Sequence, residues 1–279
     1  MNKNILAVIV SYNPNDSIIK LYQSIKNQVD ELIIVDNFST NKESKQILET
    51  LSKEATIIYN DKNLGIATAL NQGAKYAIAN GYKWLLTLDQ DSEFLPGTYE
   101  KLLSSYETLP DKDKTMLIAP MYKEKNRQIN NIADNNLVIW KEDCFVITSG
   151  SLIKTESFNH IGFFEEKLFI DRVDFDFCLR LKKDGFSSKI ATNIFFIHNL
   201  GNWTNKTHSY NYSAKRRYYM ARNAVYLFKK YFFLSPIQIL INLKNSGIFL
   251  SVLKVLLYED DKFRKISQSY KGFLDGFFL

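Results

Sequence analysis

The fold is decided by nine residues in the first third of the chain, Trp84-Leu-Leu-Thr-Leu-Asp-Gln-Asp-Ser92. A short, mostly apolar run that ends in polar residues predicts a buried strand. Asp89 and Asp91 follow at its carboxyl end, and in extended backbone two such side chains point the same way. Converging carboxylates at this edge of an α/β sheet favour a divalent cation that bridges them to substrate phosphates. A polar turn after a core strand is the alternative.

Upstream of this stretch, strand-like and helical patterns alternate. Strands are predicted at residues 5–10, 32–35 and 56–59, and helices at 16–29, 42–53 and 67–80. Strict alternation of this kind favours βαβ units and a parallel sheet.

Three of the predicted strands end in polar clusters, namely Ser11-Tyr12-Asn13, Asp36-Asn37-Phe38-Ser39 and Asp89-Gln90-Asp91. The carboxyl ends of parallel strands lie along one edge, which is where nucleotides bind in open α/β sheets. Asp36 is suited to accept the N3–H of a pyrimidine, and Tyr12 is suited to stack on the base. Alternatively, Asp36 caps the following helix.

The pattern changes after Ser92. Helices are predicted at residues 96–106 and 175–183, strands at 116–120, 137–140, 145–148, 189–191 and 194–197, and a surface loop or hairpin at 123–136. From residue 215 onward the chain is predicted to be helical, with a break at Pro236.

Composition limits the classes of function. The 279 residues suit one large α/β domain or a domain with a tail, and 46% hydrophobic residues support a real core. Two cysteines in apolar contexts indicate buried thiols, and neither a secretory leader nor a run of about 20 apolar residues is evident. The net charge of +6 fits a polyphosphate-bearing substrate, a membrane surface or nucleic acid, but no nucleic-acid-binding signature accompanies it.

The first 92 residues resemble the nucleotide-sugar-binding half of an inverting family 2 glycosyltransferase of the GT-A fold. The matching motifs are Val10-Ser-Tyr-Asn13, Val35-Asp-Asn-Phe-Ser39, Asn63-Leu-Gly65 through Asn71-Gln-Gly73, and Asp89-Gln-Asp91. The resemblance implies that Asp36 holds the base, that Asp89 holds the ribose, and that Asp91 holds the metal on the diphosphate. It extends the nucleotide-sugar site to Asn63, Gly65 and Asn71.

The resemblance continues in the second half. Thr148-Ser149-Gly150-Ser151 resembles the acceptor-side turn, and Ser149, Gly150 and Trp203 are assigned to the acceptor. The segment from Phe169 to Arg180 resembles the one that carries the catalytic base, which places the base at Asp174. Many members have Glu-Asp where this chain has Val173-Asp174, a departure shared with the rhamnosyltransferase branch.

A carboxylate at this position suits the chemistry, because an inverting transfer needs one group to take the proton of the attacking hydroxyl. Asp176 and Arg180 are four residues apart on the predicted helix and can pair, which gives Asp176 a structural role. Asp171 is expected to lie at the surface or to cap a helix.

Other candidate residues follow Asp174. His198 ends a predicted strand and is expected to complete the metal site, for which Mn²⁺ is better suited than Mg²⁺, or to be a hydrogen-bonded loop histidine. The stretch from Arg216 to Asn223 again resembles the rhamnosyltransferase branch. Arg216 or Arg222 is expected to neutralise the leaving diphosphate, unless both belong to a basic helix face.

Together these observations predict an α/β protein of the GT-A fold with a Rossmann-like half, a mostly parallel central sheet and a C-terminal helical extension. The catalytic domain is expected at residues 1–214, divided at residue 92, and the helical region at 215–279. That region, rich in lysine and aromatics, lies in a membrane interface or simply packs on the domain.

The resemblance implies transfer of L-rhamnose from dTDP-L-rhamnose, with Mn²⁺ or Mg²⁺, to a lipid-linked saccharide in cell-surface polysaccharide synthesis. The enzyme is expected in the cytoplasm, peripheral at the inner face of the membrane. The alternatives are a UDP-hexose donor, or a non-catalytic scaffold subunit that binds nucleotide sugars.

Overall fold

The computed structural model describes residues 4–124, 137–198, 211–244 and 250–279. The chain forms two compact units. The first comprises Met1–Phe164 with Phe177–Asn199, and the second comprises Glu165–Asp176 with Leu200–Leu279. The division expected at residues 214 and 215 stays a prediction. Trp203 and most of the expected surface loop lie outside the described residues.

The first unit begins with four parallel strands in the order β3-β2-β1-β4, which confirms the predicted βαβ pattern. The strands are β1 (Ile5–Ser11), β2 (Glu31–Asp36), β3 (Thr56–Tyr59) and β4 (Trp84–Asp89), and the connecting helices are α1 (Ser17–Ile25), α2 (Lys42–Leu51) and α3 (Ile66–Ala79). Ser11 pairs with Asp36 and Val10 with Asp89, so the polar strand ends are neighbours along one edge.

The sheet has nine strands among the described residues, and those after β4 are mixed in direction. They are β5 (Ser92–Glu93), β6 (Thr115–Glu124), β7 (Trp140–Glu142), β8 (Ser151–Lys154) and β9 (Ser187–His198). The order continues from β4 as β8-β6-β9-β5, with β7 also paired to β9. The pair β6 and β9 is parallel, whereas β8 runs antiparallel to both β4 and β6.

Helices α4 (Thr98–Glu107) and α5 (Ser157–Ile161) belong to the first unit, whereas a 3₁₀ turn (Glu166–Leu168) belongs to the second. Helix α6 (Val173–Lys183) begins in the second unit and passes into the first at Phe177.

The strand predicted at 145–148 is wrong, and β8, which follows the Ser149–Gly150 turn, was not predicted. The backbone N–H of Phe145 donates to the Asp143 carboxylate at 3.0 Å, so a local side-chain turn replaces sheet pairing there. Residues 189–191 and 194–197 are one strand, not two. Its polar Thr192 and Asn193 continue it because they bond to the backbone of residues 137–139.

The second unit contains four helices among its described residues: α7 (Ala214–Tyr231), α8 (Pro236–Lys244), α9 (Leu250–Tyr258) and α10 (Lys262–Asp275). Pro236 is the first residue of α8, where its missing N–H costs nothing, so the predicted break is confirmed. Helix α7 packs closely against Gly272 of α10 and against Gly276 just after it. A Cβ at Gly272 would overlap the backbone oxygen of Tyr218, and a Cβ at Gly276 would overlap that of Arg222, so both positions require glycine. No helix in the described part of the chain is long and apolar enough to cross a bilayer.

A buried ion cluster also stabilises this unit. The Glu259 carboxylate accepts from Arg217 and from Lys265 Nζ at 3.0 Å, and all three side chains are almost fully buried. Two cations surround one anion here, so removing Glu259 would leave two buried positive charges without their partner.

Candidate active site

The ends of β1 and β2 are joined through the carboxylate of Asp36. It accepts from Ser11 Oγ at 3.0 Å, from the Ser39 N–H at 2.9 Å and from Ser39 Oγ, and it is buried. The helix-capping alternative for Asp36 is wrong, because Asn41 caps α2 by accepting from the Ser44 N–H. Asp36 is therefore held at the sheet edge by a tight turn, with one lone pair on Oδ2 left for a further donor.

The ends of β2 and β3 are joined through Asn37 and Asn63. Asn37 Nδ2 donates to Asn63 Oδ1 at 3.2 Å, and Asn37 Oδ1 accepts from the Leu64 N–H at 2.9 Å. Asn63 Oδ1 also accepts from the Gly65 N–H at 3.0 Å. Gly65 has a φ of +85° immediately before α3, a conformation that favours glycine. The structure thus brings these predicted residues together with Asp36.

Gln90 links the ends of β1 and β4. Its side-chain oxygen accepts from the Tyr12 N–H at 2.9 Å, and its amide donates to the Tyr12 carbonyl. The rings of Tyr12 and Phe38 are 47% and 43% exposed beside this edge, so both present a face to solvent. Phe38, with a φ of +73°, was not assigned a role from the sequence.

The backbone at Asp89 and Asp91 differs from the prediction. Strand β4 ends at Asp89, and Gln90 and Asp91 form a turn before β5, so the extended geometry assumed for the two carboxylates is wrong. Both remain partly exposed at the carboxyl edge, and carboxylate oxygens are the donors that Mg²⁺ and Mn²⁺ prefer.

His198 is the other residue predicted to bind the metal. His198 pairs with Ser92 across β9 and β5, but its side chain lies outside the described part of the structure. Among the side chains that the structure describes, no group of three or more His, Cys, Asp or Glu residues is arranged to hold a metal ion.

Ser149 and Gly150 lie buried behind the two carboxylates. Ser149 Oγ is 2.7 Å from Ser92 Oγ and accepts a 3.4 Å bond from the Asp89 N–H. Gly150 has a φ of +85°, and a Cβ there would lie 3.0 Å from the Phe94 ring. Both residues therefore shape the floor of the edge, and direct contact with an acceptor stays a prediction.

Asn71 has a structural explanation. Its side-chain amide donates to the Phe164 carbonyl at 3.0 Å and accepts from the Phe164 N–H at 2.9 Å, and it is buried. This pair of bonds ties α3 to the end of the segment after α5. These bonds alone account for an amide at this position, and contact of Asn71 with the nucleotide sugar stays a prediction.

In the second unit, the segment before Asp174 is strained. We call residues 165–174 the base loop. Phe169, Asp171 and Arg172 all have a φ of +64°, a region that non-glycine residues rarely occupy. Each such residue costs about 1–3 kcal/mol and persists only where surrounding contacts enforce it. Asp174 then sits in the first turn of α6, partly buried, with its carboxylate accepting from the Phe175 N–H at 2.9 Å.

Helix α7 supplies those contacts. Asn223, fully buried, shares its amide hydrogens among the carbonyls of Leu168, Ile170 and Asp171 at 2.8–2.9 Å. Arg222 donates to the carbonyls of Lys167 and Leu168, and its guanidinium lies over the Tyr219 ring.

Charged side chains of the second unit surround the base loop. Arg216 pairs with the Asp171 carboxylate at 3.1 Å, and buried Arg172 donates to Asn242 Oδ1 at 2.8 Å. Burial lowers the pKa of Arg172, whereas the neighbouring carboxylates of Asp171 and Asp174 raise it. Asp174 is thus close to a buried cation. Contact of Arg216 or Arg222 with a diphosphate stays a prediction.

Asp176 differs from Asp174 in its surroundings. It is fully buried and accepts from Tyr231 Oη at 2.7 Å and from Lys230 Nζ at 3.1 Å. These bonds fit the structural role predicted for it, while its pairing with Arg180 stays a prediction. Arg180 donates to the carbonyls of Ile161 and Gly162.

Sequence reasoning missed Ser39, Arg172 and Asn223. Ser39 stood inside a quoted turn motif, and its spacing of three from Asp36 is the signal of a side-chain turn. Arg172 and Asn223 carried no such signal, because their partners lie about 50 to 70 residues away in the sequence.

The sequence of this chain was compared with those of known proteins. Residues 6–162 match the description "Glycosyl transferase family 2". The chain is 33% identical over 250 residues to the dTDP-rhamnosyl transferase RfbF of Shigella flexneri, covering 82% of this chain and 81% of that protein. It is also 36% identical over 110 residues to an uncharacterized glycosyltransferase of Haemophilus influenzae, which covers 38% of this chain and 36% of that protein.

Solved structures share the fold. S. aureus TarS superposes with a TM-score of 0.61 at 15% identity, covering 98% of this chain and 80% of that chain. GalNAc-T7, solved with UDP, GalNAc and Mn²⁺, gives a TM-score of 0.62 at 15% identity, covering 81% of this chain and 48% of that chain. At these identities the likeness concerns the fold alone, and it confirms the GT-A fold predicted from the sequence.

Proposed function

Because this chain belongs to glycosyl transferase family 2, we propose that it transfers L-rhamnose from dTDP-L-rhamnose to a saccharide hydroxyl with inversion at the anomeric carbon. The observation that carries the donor assignment is the 33% identity to a dTDP-rhamnosyl transferase over about four fifths of both chains. The arrangement of the sheet edge and of the base loop supports the reaction type.

We assign the donor nucleotide to the sheet edge of the first unit. The carboxylate of Asp36 accepts the N3–H of thymine through Oδ2, and the exposed Tyr12 ring stacks on the base. Ser11, Asn13 and Ser39 hold that carboxylate and its turn in place. Asp89 binds the ribose, and the network of Asn37, Asn63 and Gly65 keeps the adjoining loop fixed.

Asp174 is the proposed base. As the acceptor oxygen attacks the anomeric carbon from the face opposite the diphosphate, the Asp174 carboxylate takes the hydroxyl proton. The bond to the diphosphate oxygen breaks and that oxygen keeps the electron pair, so the configuration is inverted. The strained base loop fixes where this carboxylate lies, and a positioned base typically contributes roughly 10²–10⁴-fold to the rate.

Asp91, together with His198, would hold the Mn²⁺ or Mg²⁺. A divalent cation supplies charge stabilisation to a departing diphosphate. Arg216 is the additional cation proposed for the diphosphate, since guanidinium groups pair well with phosphate oxygens.

The acceptor proposed is a lipid-linked saccharide of cell-surface polysaccharide synthesis, which places the enzyme at the cytoplasmic face of the membrane. Ser149, Gly150 and Trp203 are assigned to the acceptor. A polyprenyl-diphosphate carrier stays in the bilayer, so the proposed transfer takes place at the membrane surface.

A donor screen tests the proposal. Purified protein is given dTDP-L-rhamnose, UDP-glucose or UDP-galactose with Mn²⁺, and nucleotide release is measured with and without acceptor. Release from dTDP-L-rhamnose well above the UDP sugars is expected, and Asp174→Asn serves as the inactive control. Preference for a UDP-hexose would support the alternative donor, and tight nucleotide-sugar binding without any turnover would support a scaffold subunit.

A further inference from the structure

Helix α10 has its amphipathic pattern reversed. The residues that it turns toward α7 are polar or small, namely Lys265, Ser269 and Gly272, and all three are buried. Three of its large apolar residues, Phe263, Tyr270 and Leu274, are exposed, whereas Ile266 and Phe273 are only partly buried. A helix on a soluble protein ordinarily buries its apolar stripe against the core, so this reversal needs a partner for the exposed stripe.

We define the α10 stripe as Phe263, Tyr270, Leu274, Phe277 and Phe278. Spacings of seven and four residues place the first three on one face of the helix, and Phe277 and Phe278 follow in the turn after it. Phe263 is 89% exposed and Phe278 is 90% exposed, although aromatic side chains of this size are the ones that folding normally covers.

A second stripe lies on α8. Ile237, Leu240 and Ile241 are spaced as one helix face and are all about half exposed or more, and Phe233 just before the helix is 97% exposed. We call these four residues the α8 stripe. Exposed apolar side chains grouped on one helix face are typical of an interaction site in a folded protein.

The charges near the stripes are mostly basic. Within α10, all of whose residues are described, the exposed charged side chains are Arg264 and Lys271, while Asp275 is partly buried and accepts from Tyr218. Residues 229–279 contain eight Lys and Arg against four Asp and Glu, a net +4 out of +6 for the whole chain. Aromatic and aliphatic residues bordered by Lys and Arg are typical of helices that lie in the headgroup region of a membrane.

We propose that the α10 and α8 stripes dock this protein on an anionic lipid bilayer, with the apolar side chains inserted at the boundary between headgroups and acyl chains. A second copy of the chain is the less suitable occupant. A two-fold interface would set the same basic residues against themselves, whereas anionic headgroups neutralise them. The inference rests on the proposed function only in so far as a lipid-linked acceptor gives docking a purpose.

Flotation with vesicles tests the docking. Full-length protein is mixed with phosphatidylcholine vesicles or with vesicles that also contain phosphatidylglycerol, with no donor or acceptor present. Flotation is expected with the anionic vesicles, and raising NaCl from about 0.1 M to about 0.5 M should release much of the protein. Equal flotation with neutral vesicles at both salt concentrations overturns the anionic part of the proposal.

Two variants identify the surface. Phe263→Ser combined with Tyr270→Ser and Phe278→Ser removes most of the α10 stripe, and Ile237→Ser with Ile241→Ser weakens the α8 stripe. Each loses apolar area that vesicle binding would bury, so partition should weaken by about tenfold or more. Leu137→Ser with Ile139→Ser, which changes exposed apolar residues of the first unit, is the matched control and should float as the wild type does.

Circular dichroism and nucleotide release in solution check that the variants are folded. If both stripe variants float as well as the wild type, the stripes are not the docking surface. If the wild type does not float and sediments as a dimer that the stripe variants abolish, the stripes bind a second copy and the proposal is wrong. Because flotation needs no turnover, a failure of the rhamnosyl donor assignment leaves this result unaffected.

Discussion

At the sheet edge of the first unit, the candidate side chains come from residues directly after strands and bond to one another. In the base loop of the second unit, three non-glycine residues have positive φ and are held by an asparagine about 50 residues later in the sequence. A sheet edge needs only correct strand pairing to form, because register alone makes Ser11 and Asp36 neighbours. The base loop needs a folded helix α7 before its conformation is favourable. The two regions should therefore respond differently to mutation.

The largest expected effect is on Asp174. Asp174→Asn keeps the size and the bond to the Phe175 N–H but cannot take a proton, so kcat should fall by roughly 10²-fold or more. Binding of dTDP, measured by calorimetry, should stay unchanged, since the sheet edge is untouched.

Asp176→Asn is the matched control, because it changes the same group two residues later. It should lower the thermal midpoint, since it weakens buried bonds to Tyr231 and Lys230, while kcat changes much less. A near wild-type rate for Asp174→Asn combined with a large loss for Asp176→Asn would place the base two residues away.

The metal assignment gives the next prediction. Asp91→Ala, or a chelator added to the wild type, should remove most activity, because a departing diphosphate then lacks its main charge stabilisation. Added Mn²⁺ should restore the chelated wild type but not the variant. Full activity in excess chelator would show that the two carboxylates serve some other purpose.

A mutation of Asn223 tests most directly whether the base loop depends on helix α7. Asn223→Ala leaves buried loop carbonyls without donors, which should destabilise the protein by about 2–3 kcal/mol in a denaturant titration. Because small displacements of a reacting group are costly, kcat should fall by roughly tenfold or more while KM for the donor stays within about twofold.

Tyr218→Phe is the control for Asn223. It removes a hydrogen bond of the same helix, to Asp275, outside the base loop. It should cost about 1 kcal/mol of stability without a change in kcat. A loss of kcat in both variants, in proportion to their instability, would mean that Asn223 acts on stability alone.

The smallest effect is expected at the sheet edge. Asp36→Ala should weaken dTDP binding by roughly tenfold, the scale of one hydrogen bond to a charged group. Ser39→Ala removes a donor to Asp36 but leaves the carboxylate, so it should weaken binding less. Equal calorimetric affinity of Asp36→Ala and the wild type would contradict a base contact.

The same contrast explains what could be predicted from the sequence. The strands up to Asp89 and the helices between them follow local periodicity, so their order and their polar ends were predicted correctly. Residues 145–148 were wrongly predicted to form a strand, because the Asp143 carboxylate accepts from the Phe145 N–H and forms a local turn. Strand β8 was missed because it pairs with β4, which lies more than 60 residues earlier in the sequence. The turn at Gln90 and Asp91 replaced the assumed extended geometry.

Prediction of the site was limited in the same way. The position of Asp174 came from the resemblance, whereas the strain beside it came from no sequence pattern, since Phe169, Asp171 and Arg172 are not residues that favour positive φ as glycine does. Arg172 and Asn223 became interpretable only when their distant partners were known.

The division of the chain has a consequence for how this protein can be shortened. The second unit takes Glu165–Asp176 from the middle of the sequence and Leu200–Leu279 from its end. A stop codon at any point between residues 199 and 223 would keep the segment that carries Asp174 and discard the amide of Asn223 that secures it. Loss of C-terminal helices that reaches α7 would therefore remove the support of the base loop, whereas loss of the helices after α7 would leave Asn223 in place. Shortened forms made for crystallography should therefore keep α7 through Asn223.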